Sequence, residues 1–153
     1  MARRKHAIGH GSKAHPLKKN FCFGCGGDNT EGMRLKFFPN EQHGFSCSFR
    51  LGKRYTGPPG HCHGGIIATI LDEAMSKLNK KRDIIAATAR MTVDYLRPVP
   101  LFQPLRVQAH EISKRGRRLT RVAEILDEKG AVLARGRGVF VVIDPRLVFR
   151  NKN

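Results

Sequence analysis

The stretch of this sequence richest in chemistry is Gly57-Pro58-Pro59-Gly60-His61-Cys62-His63-Gly64-Gly65, which runs directly into an apolar helical pattern. Two glycines at a helix start leave backbone N–H groups uncovered and aligned with the helix dipole, an arrangement that suits an anion or an oxyanion. His63 stands immediately before them, and a carboxylate pair, Asp72-Glu73, follows inside the helix. Each feature also has a plainer reading. A histidine before a helix serves as a cap or loop residue, a glycine pair marks a tight packing point, and a helical Asp is a solvated side chain. Distance adds a constraint. Nine residues of helix separate His63 from Asp72 by about 13 Å, so the two side chains of one chain cannot easily meet. If both serve one site, that site is shared by two chains packed around a two-fold axis, and it occurs twice.

The elements that must hold these residues follow from periodicity. Ile66, Ile67, Ile70, Leu71, Ala74, Met75 and Leu78 recur on one stripe of a helix predicted from Gly64 to Lys80. On that wheel Asp72 points well away from the stripe. Lys77, Lys80, Lys81 and Arg82 crowd the helix's C-terminal end, where cations suit the dipole. Before the helix, Met33–Phe38 and Gly44–Arg50 read as strands, and Leu51–His61 as a loop. After it the period falls to two, and Ala87–Arg97, Leu105–Ser113, Leu119–Asp127 and Ala131–Ile143 read as four long strands. The turns at Lys114-Arg115-Gly116 and Glu128-Lys129-Gly130 make antiparallel hairpins of the last three. The outline is an α+β domain whose sheet wraps the apolar stripe of one long helix.

The chain has 153 residues, enough for one domain, and 40% of them are hydrophobic, so there is a core to build. No run approaches the roughly 20 apolar residues of a membrane helix. Met1-Ala2-Arg3-Arg4-Lys5-His6 has no apolar segment behind its charge, so it does not read as a secretory signal, and a cytoplasmic protein is expected. The formal charge of +17 invites a nucleic-acid reading. Residues 1–20 carry six cations and no acid, and three more cations follow Asp144. The remaining 20 basic and 12 acidic groups leave +8 on the body of the chain. More than half of the excess thus lies on a basic arm (1–20) and a basic tail (146–153) flanking a domain at 21–145. Nothing in between resembles a nucleic-acid recognition module, so the domain's charge points only to an anionic partner.

Cys22, Cys25, Cys47 and Cys62 are expected as thiols. Phe21-Cys22-Phe23-Gly24-Cys25-Gly26 is a single C-x-x-C knuckle, two ligands short of a structural zinc site unless His61, Cys62 and His63 complete it. The plainer reading is a turn whose thiols pack as small hydrophobes, and no metal is assigned.

Gly57-Pro58-Pro59-Gly60-x-x-His63-Gly64-Gly65-x-Ile67-Ala68-Thr69-x-x-Asp72 resembles the signature of the hotdog-fold acyl-CoA thioesterases. The branch it resembles includes the phenylacetate-pathway enzymes and the mitochondrial long-chain acyl-CoA thioesterases. The similarity continues through Thr88-Ala89-x-Met91-Thr92-Val93-x-Tyr95-Leu96-Arg97-Pro98-Val99-Pro100-Leu101. Upstream it includes Cys22-Phe23-Gly24-Cys25-Gly26, Asn29 and Gly32-Met33-Arg34-Leu35, so it covers about residues 21–143. The resemblance implies a hotdog fold, with an antiparallel sheet of about five to six strands around one central helix. It also implies a homodimer, or a dimer of dimers forming a homotetramer.

By the same resemblance, Asp72 is the general base or the nucleophile at the thioester carbonyl. Gly64 N–H, with Gly65 N–H, forms the oxyanion hole. His63 orients the thioester, and Thr88 helps hold the attacking water. Coenzyme A enters as part of the substrate, and no separate cofactor is implied. Its phosphates give Arg97 and the hairpin residues Lys114, Arg115, Arg117 and Arg118 a candidate role as ligands. Solvated hairpin charge is the plainer reading. One departure stands out. Many relatives carry Asn or Gln about six residues before the histidine, whereas this chain has Gly57 there and no amide between Leu51 and His63. His61 is the nearest polar substitute.

The function these residues point to is hydrolysis of an acyl-CoA to free acid and CoA. The alternative is a non-catalytic acyl-CoA-binding hotdog protein, which the missing amide favours. A hotdog dehydratase would carry a different arrangement of His and Asp or Glu. A nucleic-acid binder would lose its salt-sensitive affinity with residues 1–20.

Overall fold

The computed structural model describes residues 19–148, so the basic arm up to residue 18 and the tail beyond residue 148 lie outside the described part. The strands are β1 (Phe38–Pro39), β2 (Phe45–Phe49), β3 (Ala86–Tyr95), β4 (Leu105–Arg115), β5 (Arg118–Leu126) and β6 (Val132–Val142). The helices are α1 (Gly64–Ser76), α2 (Asn79–Arg82) and a single turn, α3 (Pro145–Val148). The strands form one antiparallel sheet in the order β1-β2-β4-β5-β6-β3. This is the hotdog fold, the sheet curling around α1. Among the described residues no helix is long and apolar enough to cross a membrane.

The core lies between the concave face of the sheet and the apolar stripe of α1. Ile67, Ile70, Leu71, Ala74 and Met75 are buried on the helix, against Val107, Ala109, Leu119, Ala123, Ile125 and Phe140 on the strands. Each Leu or Ile buried this way contributes about 1.5–3 kcal/mol. Alternation along β6 turns Ala134, Gly136, Gly138 and Phe140 inward and leaves Arg135 and Arg137 exposed. A Cβ on Gly136 or Gly138 would sit 3.2 Å from Leu71 or Met75, so glycine is what lets the helix lie this close to the sheet.

The expected hairpins β4–β5 and β5–β6 form as the turns dictate. Two expectations fail. The strand predicted over Met33–Phe38 shrinks to Phe38–Pro39. Arg34 takes a left-handed φ of 53°, while Met33 N–H and Leu35 N–H bond to Phe23 O and Gly24 O. Residues 33–35 are therefore spent on the cysteine knuckle and not on the sheet. The helix predicted to Lys80 stops at Ser76. The Met75 carbonyl accepts from Leu78 N–H at 3.2 Å and from the buried Arg121 Nη1 at 3.0 Å. This tightens the last turn, and the chain restarts as α2 before Asp83 ends it in the left-handed region.

β3 is the long edge. It spans ten residues, is exposed along most of its length, and pairs only with β6 among the described residues. Thr88, on its first half, and Tyr95, its last residue, both reach across to α1.

Candidate active site

The loop that delivers His63 is fastened by backbone bonds. Gly57 N–H bonds to His61 O, Cys62 N–H to Val99 O, and His63 N–H to Tyr55 O, all at 2.8–2.9 Å. A Cβ on Gly57 would lie 2.7 Å from His63 Cα, so a side chain at this position requires the loop to shift. The neighbouring His61 donates from Nδ1 to its own loop's Pro59 carbonyl at 2.9 Å.

His63 is the N-cap of α1, the plainer role set out for it above. Its Nδ1 accepts from Gly65 N–H at 3.0 Å, and its carbonyl accepts from Ile66 and Ile67 N–H. Gly65 N–H is thereby spent on the cap. Gly64 N–H is the helix-start donor left without a partner among the described residues. Of the two glycine N–H groups at the helix start, only Gly64 N–H is therefore uncovered among the described residues. On its other side, Gly64 O accepts from Tyr95 Oη at 3.0 Å, which ties the helix start to the end of β3. Pro58, His61, Gly64, Ile67, Tyr95 and Arg97 line a cavity of about 410 Å³ at this end. A larger hollow of about 690 Å³, bordered by Phe49, Arg50, Arg106 and Glu128, holds none of the residues singled out for chemistry.

Asp72 lies two helical turns further on, about 12 Å from Gly64 along the axis. Thr88 Oγ1 donates to Asp72 Oδ1 at 2.6 Å. A register shift in the β3–β6 ladder between Thr88 and Arg90 aims the hydroxyl at the helix. This charge-assisted bond fixes one carboxylate oxygen and leaves Oδ2 for another partner. Asp72 does not border the Gly64 cavity. Within one chain the uncovered Gly64 N–H with its cavity and the positioned Asp72 carboxylate are therefore separate features, both along β3.

The cationic candidates divide. Arg97 borders the Gly64 cavity. Arg115 and Arg118 face each other at the β4–β5 tip, where they line a different hollow beside Arg137. Arg117 sends Nε and Nη2 to Val142 O at 3.0 and 2.8 Å. None of the hairpin arginines reaches the Gly64 cavity within the chain.

Among the cysteines, Cys47 and Cys62 are core residues, and burial pushes the Cys62 thiol up to about 11. Cys62 donates to the His63 carbonyl at 3.5 Å. His61, Cys62 and His63 do not join Cys22 and Cys25, and the side chain that does is Glu73. Sequence reasoning gave Tyr95, Pro58 and Glu73 no role. The signal for Tyr95 was present in the Tyr95-Leu96-Arg97-Pro98 strand end. The one for Glu73 was not, since its partners lie about fifty positions away.

Comparison with known proteins places these features. The family model described as the thioesterase superfamily matches residues 59–134, from the His63 loop to β6. The chain is 30% identical over 111 residues to the acyl-coenzyme A thioesterase THEM4 of Rattus norvegicus, covering 71% of this chain and 47% of that protein. It thus spans about half the length of the curated relatives it matches first. A crystal structure of a thioesterase superfamily protein superposes with a TM-score of 0.71 at 31% identity, covering 74% of this chain and 56% of the other. A Bacillus halodurans protein solved with CoA superposes with a TM-score of 0.65 at 25% identity, over 74% and 76% of the two chains.

Proposed function

The chain belongs to the thioesterase superfamily, and on that footing we propose that it hydrolyses an acyl-CoA thioester to the free acid and CoA. The observation that carries this reading is the Thr88–Asp72 hydrogen bond of 2.6 Å at an exposed sheet edge. It holds the carboxylate by one oxygen and leaves the other for a further partner. Asp72 takes a proton from water as that water attacks the thioester carbonyl, or attacks the carbonyl itself to give an anhydride that water then opens. The carbonyl oxygen becomes an oxyanion and is met by Gly64 N–H at the positive end of α1. Collapse expels the CoA thiolate, which takes up the proton that water gave. Atoms balance as thioester plus water giving acid plus thiol.

The two half-sites about 12 Å apart call for a second copy. A two-fold axis beside β3 brings one protomer's Gly64 end to the other's Asp72, and the ten-residue exposed edge of β3 supplies backbone partners for such pairing. We take the working unit as a homodimer, which leaves room for a dimer of dimers. The cavity bordered by Arg97 accepts the pantetheine and the phosphates, the same ligand class as in the CoA-bound Bacillus halodurans protein. A cytoplasmic location belongs to the same reading.

The test is thiol release from a panel of acyl-CoAs of differing chain length and aromaticity, with Asp72→Ala as control. Turnover lost in the variant is expected, and equal turnover would remove Asp72 from the mechanism. One observation favours the second reading, a non-catalytic acyl-CoA binder, namely the Gly57 position, where a side chain requires the loop to shift. Tight acyl-CoA binding without turnover would select it.

A further inference from the structure

The residue after Asp72 on α1 is Glu73, and the knuckle Cys22-Phe23-Gly24-Cys25-Gly26 sits against it. Gly26 N–H closes the turn onto Cys22 O at 2.8 Å. A Cβ on Gly26 would lie 2.5 Å from Asn20 O and from Cys22 N and O, so glycine is required for the turn to be this tight. A Cβ on Gly24 would lie 2.6 Å from Glu73 Oε2, so a second glycine makes the space the carboxylate fills. The Glu73 side chain is only 14% exposed. Cys22 Sγ is 3.4 Å from Glu73 Oε2, and the two sulfurs and the carboxylate oxygen all lie within 4.8 Å of one another. Lys77 Nζ closes the group, 2.6 Å from Cys25 Sγ and 3.1 Å from Glu73 Oε1.

We propose that Cys22, Cys25 and Glu73 form a zinc site that ties the N-terminal knuckle to α1. The donor set fits that ion, because two thiolates select a soft or borderline metal and zinc accepts a carboxylate beside them. The spacing fits as well. Around tetrahedral zinc, bonds of about 2.3 Å to sulfur and 2.0 Å to oxygen put sulfur and oxygen about 3.5 Å apart. The Cys22–Glu73 separation is already at that value, and only a small closure of the Cys25 side chain is needed. Two thiolates and a carboxylate around Zn²⁺ leave a net charge of −1, which Lys77 neutralises while its N–H donates to the Cys25 sulfur. Binding releases one proton per thiol to solvent. The fourth position, on the side of the exposed Cys22, takes a water. Glu73 is turned about 100° around the helix from Asp72, to different partners, and the site does not depend on thioester chemistry.

The test is titration of the reduced full chain with Co²⁺, followed by displacement with Zn²⁺. Thiolate-to-cobalt charge-transfer bands in the near ultraviolet are expected at one metal per chain, bleached by one equivalent of zinc. Cys22→Ala and Cys25→Ala should abolish the bands, with folding checked by circular dichroism. Because Cys22 is exposed, Cys22→Ser supplies a variant that keeps the turn. Glu73→Gln should keep weaker bands, with affinity reduced at least about tenfold. Cobalt uptake without near-ultraviolet bands, as histidines of the N-terminal arm would give, overturns the proposal. So do bands that survive Cys22→Ala, or an unchanged affinity in Glu73→Gln.

Discussion

The two ends of α1 are built on opposite principles. At the N-terminal end the helix is left partly open, since His63 caps one donor, Gly64 N–H meets no acceptor among the described residues, and a cavity of about 410 Å³ lies against it. At the C-terminal end a fully buried guanidinium closes the helix. Arg121 Nη1 donates to Met75 O at 3.0 Å and to Asn79 Oδ1 at 2.6 Å, its plane lies over Phe140, and Glu111 and the more exposed Arg82 complete the charges. Both ends complement the helix dipole, one with an uncovered backbone N–H and the other with a resident cation. The closed end spends Arg121 Nη1 on the helix and leaves Arg121 Nη2 buried without a partner among the described residues, whereas the open end leaves Gly64 N–H facing a cavity. Damage to the first should lower stability and spare the chemistry of the folded molecules, and damage to the reactive side should do the reverse.

The largest expected effect is on the reactive side. Asp72→Asn keeps shape and the Thr88 contact but removes the basic or nucleophilic oxygen. In acyl-CoA hydrolysis followed by thiol release, kcat should fall about 10³-fold, equivalent to roughly 4 kcal/mol of barrier. Thermal unfolding should shift little. A loss of stability with kcat preserved would make Asp72 a structural residue and erase the contrast between the two sides.

Next comes the closed end. Glu111→Gln leaves the fully buried Arg121 without its carboxylate and should cost about 3 kcal/mol in denaturant unfolding. The pH dependence has a definite sign. Burial alone would raise the Glu111 carboxyl, but the Arg82 and Arg121 guanidinium groups outweigh it and hold the carboxyl below its ordinary 4.5. Its stabilisation is therefore complete above pH 4.5 and lost as pH falls through the lower folded value. The wild type should lose stability there more steeply than Glu111→Gln. Parallel curves would show that the carboxylate does no such work.

Thr88→Val tests how the positioned carboxylate depends on its one neutral partner. A hydrogen bond to a charged group is worth about 1.5–3 kcal/mol, so kcat should fall about 10- to 100-fold, with KM much less affected. Thr88→Ser should restore most of the rate. If Val and Ser behave alike, the hydroxyl is not what orients Asp72.

These contrasts were unevenly legible in the sequence. The apolar stripe of α1 and the alternation through β4, β5 and β6 are local patterns, so element type and pairing could be read from spacing alone. The end of α1 could not, because Met75 O is taken by an arginine 46 positions away. The first strand failed for the same reason, its backbone being recruited by the knuckle at Phe23 and Gly24. The carboxylate pair Asp72-Glu73 reads as one feature in the sequence, yet the helix turns the two side chains to Thr88 and to Cys22, one partner after the helix in the chain and one well before it. The plainer reading of His63, as a cap, is the one the structure shows. What spacing could not show is that capping consumes Gly65 N–H and leaves Gly64 N–H without a partner among the described residues.

The smallest expected effect sharpens the open end. In Gly57→Asn the Cβ would arrive 2.7 Å from His63 Cα, against backbone held by the Tyr55, His61 and Val99 carbonyls. The loop must give way, at a cost of about 1–3 kcal/mol in stability, the range of an overpacked site. The movement passes to the His63 cap and so to the aim of Gly64 N–H. Introducing an amide here should therefore lower kcat several-fold, because this loop packs Gly57 directly on His63. A rise in kcat at unchanged stability would show that the loop can yield without disturbing His63, and that the open end lacked a donor it can accommodate.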